Sequence, residues 1–298
     1  MNENIIESEG LTKYYGHILG IKDLNLQVKR GEIFGYLGPN GAGKTTTIKL
    51  LLDLIHSTKG KVKIFGLDAH QDSLEIRKKI GYMSVDFNLY ENMTGEEFLI
   101  FCQSFYSNRD KGFKEKLIKK FEIKIEGKIK TYSHGTKQKL ALAQALLHQP
   151  ELLILDEPTI GLDPLMQNEF LNLIKEQKSE GKTVFMSSHI LLEVEKICDR
   201  VGILKKGTLI VTKNIDELKR TTERTLRVVF QKEVSEKELE MEGITKIEKE
   251  GNKYILTIAG NEEEILKKIN SYPLFSLNFE EADLEDIFLR YFKNKEEK

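Results

Sequence analysis

Eight consecutive residues, Gly38-Pro39-Asn40-Gly41-Ala42-Gly43-Lys44-Thr45, with Thr46 behind them, set glycines and an alanine directly ahead of a lysine and a hydroxyl. Small side chains let successive backbone N–H groups converge on one anion, and the lysine adds a point charge. A strand pattern, Ile33 to Leu37, leads into the run. A helical pattern follows from about Gly43 to Ile55, with Ile48, Leu51, Leu52 and Ile55 at helical spacing. The helix N-terminus then aims its dipole at the same anion. The chemistry implied is capture of a polyphosphate, with Lys44 on the β- and γ-phosphates and Thr45 on a Mg²⁺ ion. Because a glycine-rich turn of this composition also arises by chance, the reading needs a second group of residues.

That group is Leu152-Leu153-Ile154-Leu155-Asp156-Glu157, an aliphatic strand ending in two carboxylates. A parallel α/β sheet carries its site at the C-terminal ends of its strands. There Asp156 can hold Mg²⁺, directly or through water, and Glu157 can polarise an attacking water as general base. One acidic residue at a strand end would read as a helix cap or a solvent-facing group. Two of them behind four aliphatics, in a chain that also carries the P-loop pattern, read as a Walker B strand.

The elements that must position these residues follow from periodicity. Ile33–Leu37, Leu152–Leu155 and Thr183–Ser187 are buried strand patterns, and the first two thirds of the chain alternate such runs with helical ones. This alternation predicts an α/β fold, a P-loop NTPase core with a parallel sheet. From about Thr94 to Lys130 the pattern turns helical, Gly95–Tyr106 and Lys111–Phe121, and another helix runs from about His134 to His148. These form an inserted helical subdomain at about 87–150. Its lysines, among them Lys114, Lys116, Lys119 and Lys120, alternate with Glu115 and Glu122, so a solvated face fits better than contact with anionic lipid. Beyond about 223 the order is strand, helix, strand, strand, helix, strand: Thr225–Phe230, Val234–Met241, Ile244–Glu248, Lys253–Ile258, Glu262–Asn270 and Leu274–Phe279. A final helix, Leu284–Phe292, and a frayed end, Lys293–Lys298, complete it. The expected domains are 1–222 and a small α+β ferredoxin-like accessory domain, 223–298.

Composition excludes several function classes. The 298 residues, 40% hydrophobic and 31% charged, suffice for one large and one small core, and a net charge of −1 gives no basic field for holding nucleic acid. The two cysteines, Cys102 and Cys198, lie in apolar helical patterns rather than in a metal-ligand spacing. No run approaches the roughly 18 apolar residues of a spanning helix, and Met1–Ser8 lacks the apolar core of a signal peptide. Any membrane role is therefore expected to go through a partner.

Between the two Walker patterns lies Tyr132-Ser133-His134-Gly135-Thr136-Lys137-Gln138, which resembles the signature of ABC ATPases and stands directly before its helix as in that family. Gly161-Leu162-Asp163 is placed like the D-loop, His189 like the switch histidine, and Tyr15 like the aromatic that stacks on adenine. Singly, Tyr15 reads as a core aromatic, His189 as a surface histidine and Ser133 as a helix N-cap. Their order around the Walker patterns reverses that reading. The resemblance implies a β-rich N-terminal part, ATP and Mg²⁺ as cofactors, and a head-to-tail dimer of two copies. In that dimer Ser133 and the Gly135 N–H would meet the γ-phosphate held by the other copy's Gly38–Thr46 loop, while Asp163 would couple the two sites and His189 would sense the γ-phosphate. Two departures stand out. His134 replaces the usual glycine, and Val85, in Ile80-Gly81-Tyr82-Met83-Ser84-Val85-Asp86, occupies the Q-loop position of a metal-approaching polar residue. Asp86, next to it, is a candidate substitute.

A transporter engine, a soluble regulator of the translation-factor branch and a coiled-coil chromosome ATPase are the classes open to such a chain. The single Walker A pattern and the absence of heptad runs between the motifs favour the transporter. Glu281-Ala282-Asp283-Leu284-Glu285-Asp286-Ile287-Phe288 and the small domain before it resemble the tail of ATP-binding subunits of bacterial ABC-2-type exporters, the drug and antimicrobial-peptide resistance and immunity subset. The expected partners are a second copy and a polytopic permease at the cytoplasmic face of a bacterial membrane, with no nucleic acid. The alternative is an ABC ATPase acting as a regulator without transport.

Overall fold

The computed structural model describes residues 3–106, 110–220, 224–280 and 288. The chain divides into two compact units, Met1–Lys213 and Asn214–Lys298. The division falls short of the expected 222/223 boundary because the short helix Ile215–Arg220 goes with the second unit.

The first unit opens with strands β1 (Asn4–Tyr15), β2 (Ile18–Leu24) and β3 (Gln27–Lys29), followed by β4 (Ile33–Leu37) and helix α1 (Lys44–Leu51). Next come β5 (Lys59–Ile64), β6 (Leu67–Asp68), α2 (Ser73–Lys78) and β7 (Ile80–Met83). The helical stretch holds α3 (Gly95–Gln103), α4 (Lys111–Lys120) and α5 (His134–Leu146). The unit closes with β8 (Leu152–Asp156), α6 (Pro164–Ser179), β9 (Thr183–Ser188), α7 (Leu191–Ile197), β10 (Arg200–Lys205) and β11 (Thr208–Asn214).

Two sheets organise these elements. An antiparallel one runs β2-β1-β5-β6 with β3 also on β1, and it is the β-rich N-terminal part. The other runs β11-β10-β4-β9-β8-β7, and every pair from β10 to β7 is parallel. β4, β8 and β9 are buried at every residue. That matches their lack of a polar–apolar alternation, since a parallel sheet covered on both faces leaves no solvent side for alternate charged residues. Phe34, Tyr36 and Phe185 pack together on one face across β4 and β9, with Phe34 and Phe185 stacked at 5.8 Å. Each such fully buried side chain contributes about 1.5–3 kcal/mol.

Helix ends differ from expectation where capping or backbone conformation intervenes. α1 stops at Leu51 rather than Ile55, because Asp53 two residues on is left-handed, with φ +51°. α3 starts where expected, at a capping box in which Thr94 Oγ1 accepts from Glu97 N–H and the Glu97 carboxylate from Thr94 N–H. It ends at Gln103 and α5 at Leu146, both short of the expected Tyr106 and His148.

The second unit holds α8 (Ile215–Arg220), β12 (Arg224–Phe230), α9 (Glu236–Leu239), β13 (Ile244–Glu250), β14 (Lys253–Ile258), α10 (Glu262–Asn270) and β15 (Leu274–Glu280). Its sheet runs β13-β14-β12-β15, antiparallel throughout, the strand order of a ferredoxin-like fold. Leu226, Val228, Phe230, Tyr254, Leu256, Ile265 and Ile269 form its core. The helix expected over Val234–Met241 shrinks to α9, where Tyr254 Oη accepts the Val234 N–H at 3.0 Å and donates to the Val234 carbonyl, taking the acceptor that would open a helical ladder there. The expected helix Leu284–Phe292 and the exporter-like stretch from Glu281 fall outside the described residues, Phe288 excepted.

Candidate active site

β4 delivers the chain into the glycine-rich loop, and α1 begins at Lys44. Gly43 turns with φ +108°, and a Cβ there would sit 2.8 Å from both Gly20 O and Ile21 Cγ2, so only glycine fits. Pro39, Asn40, Gly41 and Thr45 are exposed, Ala42 is buried, and Gly38 lies beneath the loop. Lys44 is only 6% exposed. Its Nζ donates to Gly38 O at 2.6 Å and to Pro39 O at 3.3 Å, so the ammonium sits inside the curl of its own loop.

The two carboxylates stand beside it. Asp156 is fully buried at the end of β8, in register with Ser187 of β9. Ser187 Oγ donates to Asp156 Oδ1 at 2.5 Å, and Thr45 Oγ1 donates to Asp156 Oδ2 at 2.8 Å. Glu157 is left-handed, φ +50°, held there by its N–H donating to Ser187 Oγ at 3.0 Å. That conformation is costly for a non-glycine residue and turns the side chain back across the strand ends. Glu157 Oε2 lies 2.8 Å from His189 Nδ1, and Oε1 lies 3.0 Å from Lys44 Nζ, out of line for a hydrogen bond. Lys44, Glu157 and His189 thus form one continuous polar chain. Behind it Glu193, buried and hydrogen-bonded by Thr159 Oγ1 at 2.7 Å, has its carboxyl pushed above the usual range by burial.

The signature residues assemble at a second place. Ser133 is the N-cap of α5, its Oγ accepting from Thr136 N–H at 3.2 Å, and Asp163 is the N-cap of α6, accepting from Met166 N–H at 3.0 Å. None of the hydrogen bonds described for Ser133 reaches residues 38–46. His134 stacks on Phe87 at 5.7 Å and crowds Gly161, where a Cβ would fall 2.9 Å from His134 Cδ2. Gly135 is adjacent, an added Cβ lying 3.8 Å from Gly161 O. The loop after β7, the loop after β8 and the N-terminus of α5 therefore meet at His134.

Tyr15 is 46% exposed at the end of β1. It adjoins the phosphate loop through Gly20, whose added Cβ would lie 3.1 Å from both Tyr15 Cε2 and Thr46 Cγ2. Val85 and Asp86 are exposed beyond β7, and among the described residues no hydrogen bond joins Asp86 to Thr45 or Asp156. Sequence reasoning misses Ser187, Gly20 and the His134–Phe87 contact. Ser187 has a findable signal, because it ends the strand pattern that neighbours the acidic one.

The donors suit a triphosphate and its cation. Thr45 and Asp156 present hard oxygens 2.8 Å apart, the ligand type of Mg²⁺, beside a loop whose lysine is already surrounded by oxygen acceptors. Fold and site define a P-loop nucleoside triphosphatase. Residues 21–160 match the family profile described as "ABC transporter", and 128–195 match "AAA domain, putative AbiEii toxin, Type IV TA system". The chain is 41% identical over 225 residues to "Bacitracin transport ATP-binding protein BcrA" of Bacillus licheniformis, covering 74% of each. It is 35% identical over 296 residues to "Uncharacterized ABC transporter ATP-binding protein YcbN" of Bacillus subtilis, covering 96% of each. To "Probable multidrug ABC transporter ATP-binding protein YbhF" of Escherichia coli it is 41% identical, over 73% of this chain but only 38% of that protein's length. Solved structures are similar as well. "Structure of ATP binding subunit of ABC transporter" has 32% identity and TM-score 0.68, over 72% of this chain and 92% of that one. "Dimeric structure of a post-hydrolysis state of the ATP-binding cassette MJ0796 bound to ADP and Pi" has 26% identity and TM-score 0.65, over 70% and 98%. The chain belongs to the ABC transporter ATP-binding protein family.

Proposed function

We propose that this chain is the ATP-binding and ATP-hydrolysing subunit of an exporter-type ABC transporter, working as a homodimer that powers a separate polytopic permease. The observation that carries the reading is the contact chain Lys44–Glu157–His189 laid against the Thr45–Asp156 pair. Loop N–H groups and Lys44 hold the triphosphate, and Tyr15 offers a face to the base. Mg²⁺, held by Thr45 and Asp156, would neutralise charge on the phosphate oxygens. Glu157 accepts the proton of the attacking water, and His189, through Nδ1, holds the Glu157 carboxylate in position. Asp86, exposed beyond β7, supplements the metal set only if the loop after β7 moves toward Asp156.

Ser133 and Gly135 at the N-terminus of α5 would meet the triphosphate of the second copy, where the helix dipole favours the negative charge. Similarity to a dimeric cassette with ADP and phosphate supports that arrangement. Export rests on the names of the relatives, which concern bacitracin and multidrug transport. Among the described residues no helix is long and apolar enough to cross a membrane, in keeping with attachment through a permease at the cytoplasmic face of a bacterial membrane. The first unit, Met1–Lys213, reads as the cassette and the second, from Asn214, as the accessory domain.

The test is Glu157→Gln. Turnover should fall by about 10²–10⁴-fold while ATP, resolved by size-exclusion chromatography, drives the chain into a stable dimer. Wild-type turnover in that variant would refute the assignment. Co-purification with a membrane protein lacking a cassette separates the transporter from a permease-free regulator.

A further inference from the structure

Away from the active site, the turn after α1 and the loop after β6 bring Asp53, His56 and His70 together at the mouth of an open cavity of about 320 Å³. Both imidazoles converge on the same carboxylate oxygen. His70 Nδ1 lies 3.0 Å and His56 Nδ1 3.4 Å from Asp53 Oδ1, and the three ligand atoms lie within 4.8 Å of one another. A tetrahedral ion with bonds of about 2.0–2.1 Å separates its ligand atoms by roughly 3.3 Å, so the two spacings to Asp53 Oδ1 already match two edges of a tetrahedron. The two rings meet edge to face, centroids 4.8 Å apart, which leaves both Nδ1 atoms on the Asp53 side.

The backbone fixes all three positions. Asp53 is left-handed, φ +51°, with its N–H on Leu50 O at 3.1 Å, and Leu54 N–H returns to Lys49 O at 2.8 Å. His56 O accepts from Lys13 Nζ at 2.7 Å. On the other side Asp68 Oδ1 accepts from the N–H groups of both His70 and Gln71 at 3.0 Å, bonds that hold its carboxyl below the usual range. Asp53 is 13% exposed at its side chain, whereas His56 and His70 are 74% and 69% exposed, so an ion has a partly buried anionic base and a solvent-facing side where water can take the fourth position. Arg77 approaches the other oxygen, Oδ2, at 3.6 Å, leaving Oδ1 to the histidines.

We propose that Asp53, His56 and His70 form a second cation site, for a zinc-class divalent transition metal and distinct from the Mg²⁺ pair at Thr45 and Asp156. Two imidazoles and one carboxylate suit Zn²⁺, Co²⁺ or Ni²⁺, whereas Mg²⁺ takes six oxygens. The ion would tie the segment that ends the phosphate-loop helix to the edge of the antiparallel sheet.

The probe is Zn²⁺ alone, titrated into the purified full chain at pH 7.5 against a chromogenic chelator, without nucleotide. The wild type should take up one equivalent, and His56→Gln/His70→Gln should lose at least tenfold in affinity for it while keeping wild-type Mg²⁺-dependent ATPase activity. Co²⁺ bound to the wild type should give the intense visible bands of a four-coordinate site, a readout independent of any variant. No stoichiometric Zn²⁺, equal affinity in the double variant, or a six-coordinate Co²⁺ spectrum would each overturn the proposal.

Discussion

Lys44 Nζ and Glu157 Oε1 lie 3.0 Å apart, with both side chains almost wholly buried. The cation assigned to phosphate and the carboxylate assigned to water therefore face each other directly. A phosphate entering the loop has to compete with Glu157 for that ammonium, which frees the carboxylate for its other neighbour, His189. Removing one partner of a buried pair leaves the other uncompensated. Lys44→Met should therefore destabilise the free chain as well as abolish tight nucleotide binding, and adding Glu157→Gln should restore part of the lost stability. Thermal melts of the two single variants and the double variant measure this, and strictly additive losses would show that the pair is not coupled.

Ser187 holds both acidic residues, donating to Asp156 Oδ1 and accepting the Glu157 N–H. Ser187→Ala leaves each without that bond while the β8–β9 ladder survives. A group of this kind behind a metal ligand commonly accounts for 10–100-fold in affinity or activity. The Mg²⁺ concentration for half-maximal ATPase should rise by about tenfold, with ATP affinity in the absence of metal little changed.

Gly161 and His134 are matched to each other. Gly161→Ala places a Cβ at φ +81° and 2.9 Å from His134 Cδ2, so it suffers both backbone strain and a clash. The strain alone costs about 1 kcal/mol or more. His134→Gly in the same chain should recover the clash and not the strain, giving a melting temperature between those of Gly161→Ala and the wild type. Full recovery would mean that the backbone at Gly161 has no preference for glycine.

His148 supplies a pH signature. It is buried, stacks on Tyr106 at 3.8 Å and has Nε2 3.1 Å from Ile80 O. Burial lowers its pKa from 6.5 to about 4. The unfolded chain therefore takes up the proton first as pH falls. The stability that neutral His148 contributes is fully present above about pH 6.5 and drains away between there and about pH 4, roughly 2 kcal/mol of it by pH 5. His148→Gln should flatten the decline in melting temperature between pH 7.5 and 5; an unchanged slope would assign the acid sensitivity to other groups.

Much of the cassette core is legible in the amino-acid sequence. The patterns for β4, β8 and β9 match the observed strands almost residue for residue, because strands buried on both faces show as short runs free of charged side chains until the last residue of β8. Gly38–Thr45 and Asp156–Glu157 are legible because each is a contiguous stretch whose chemistry depends on local backbone shape. The end of α1 and the shrinkage of α9 are not, since a left-handed Asp53 and the Tyr254–Val234 bond override helical periodicity.

The sequence by itself determined which residues could bind a triphosphate and which could activate water. Only the tertiary structure decided how they meet. Thr45 and Asp156 are 111 residues apart, and they touch because parallel crossovers in the order β4-β9-β8 bring the C-terminal ends of the strands to one edge. The same edge sets Ser187 between the two carboxylates and closes the chain from Lys44 through Glu157 to His189. The Asp53–His56–His70 cluster arises likewise from two turns that no local pattern connects, because contacts between distant segments depend on strand order and register.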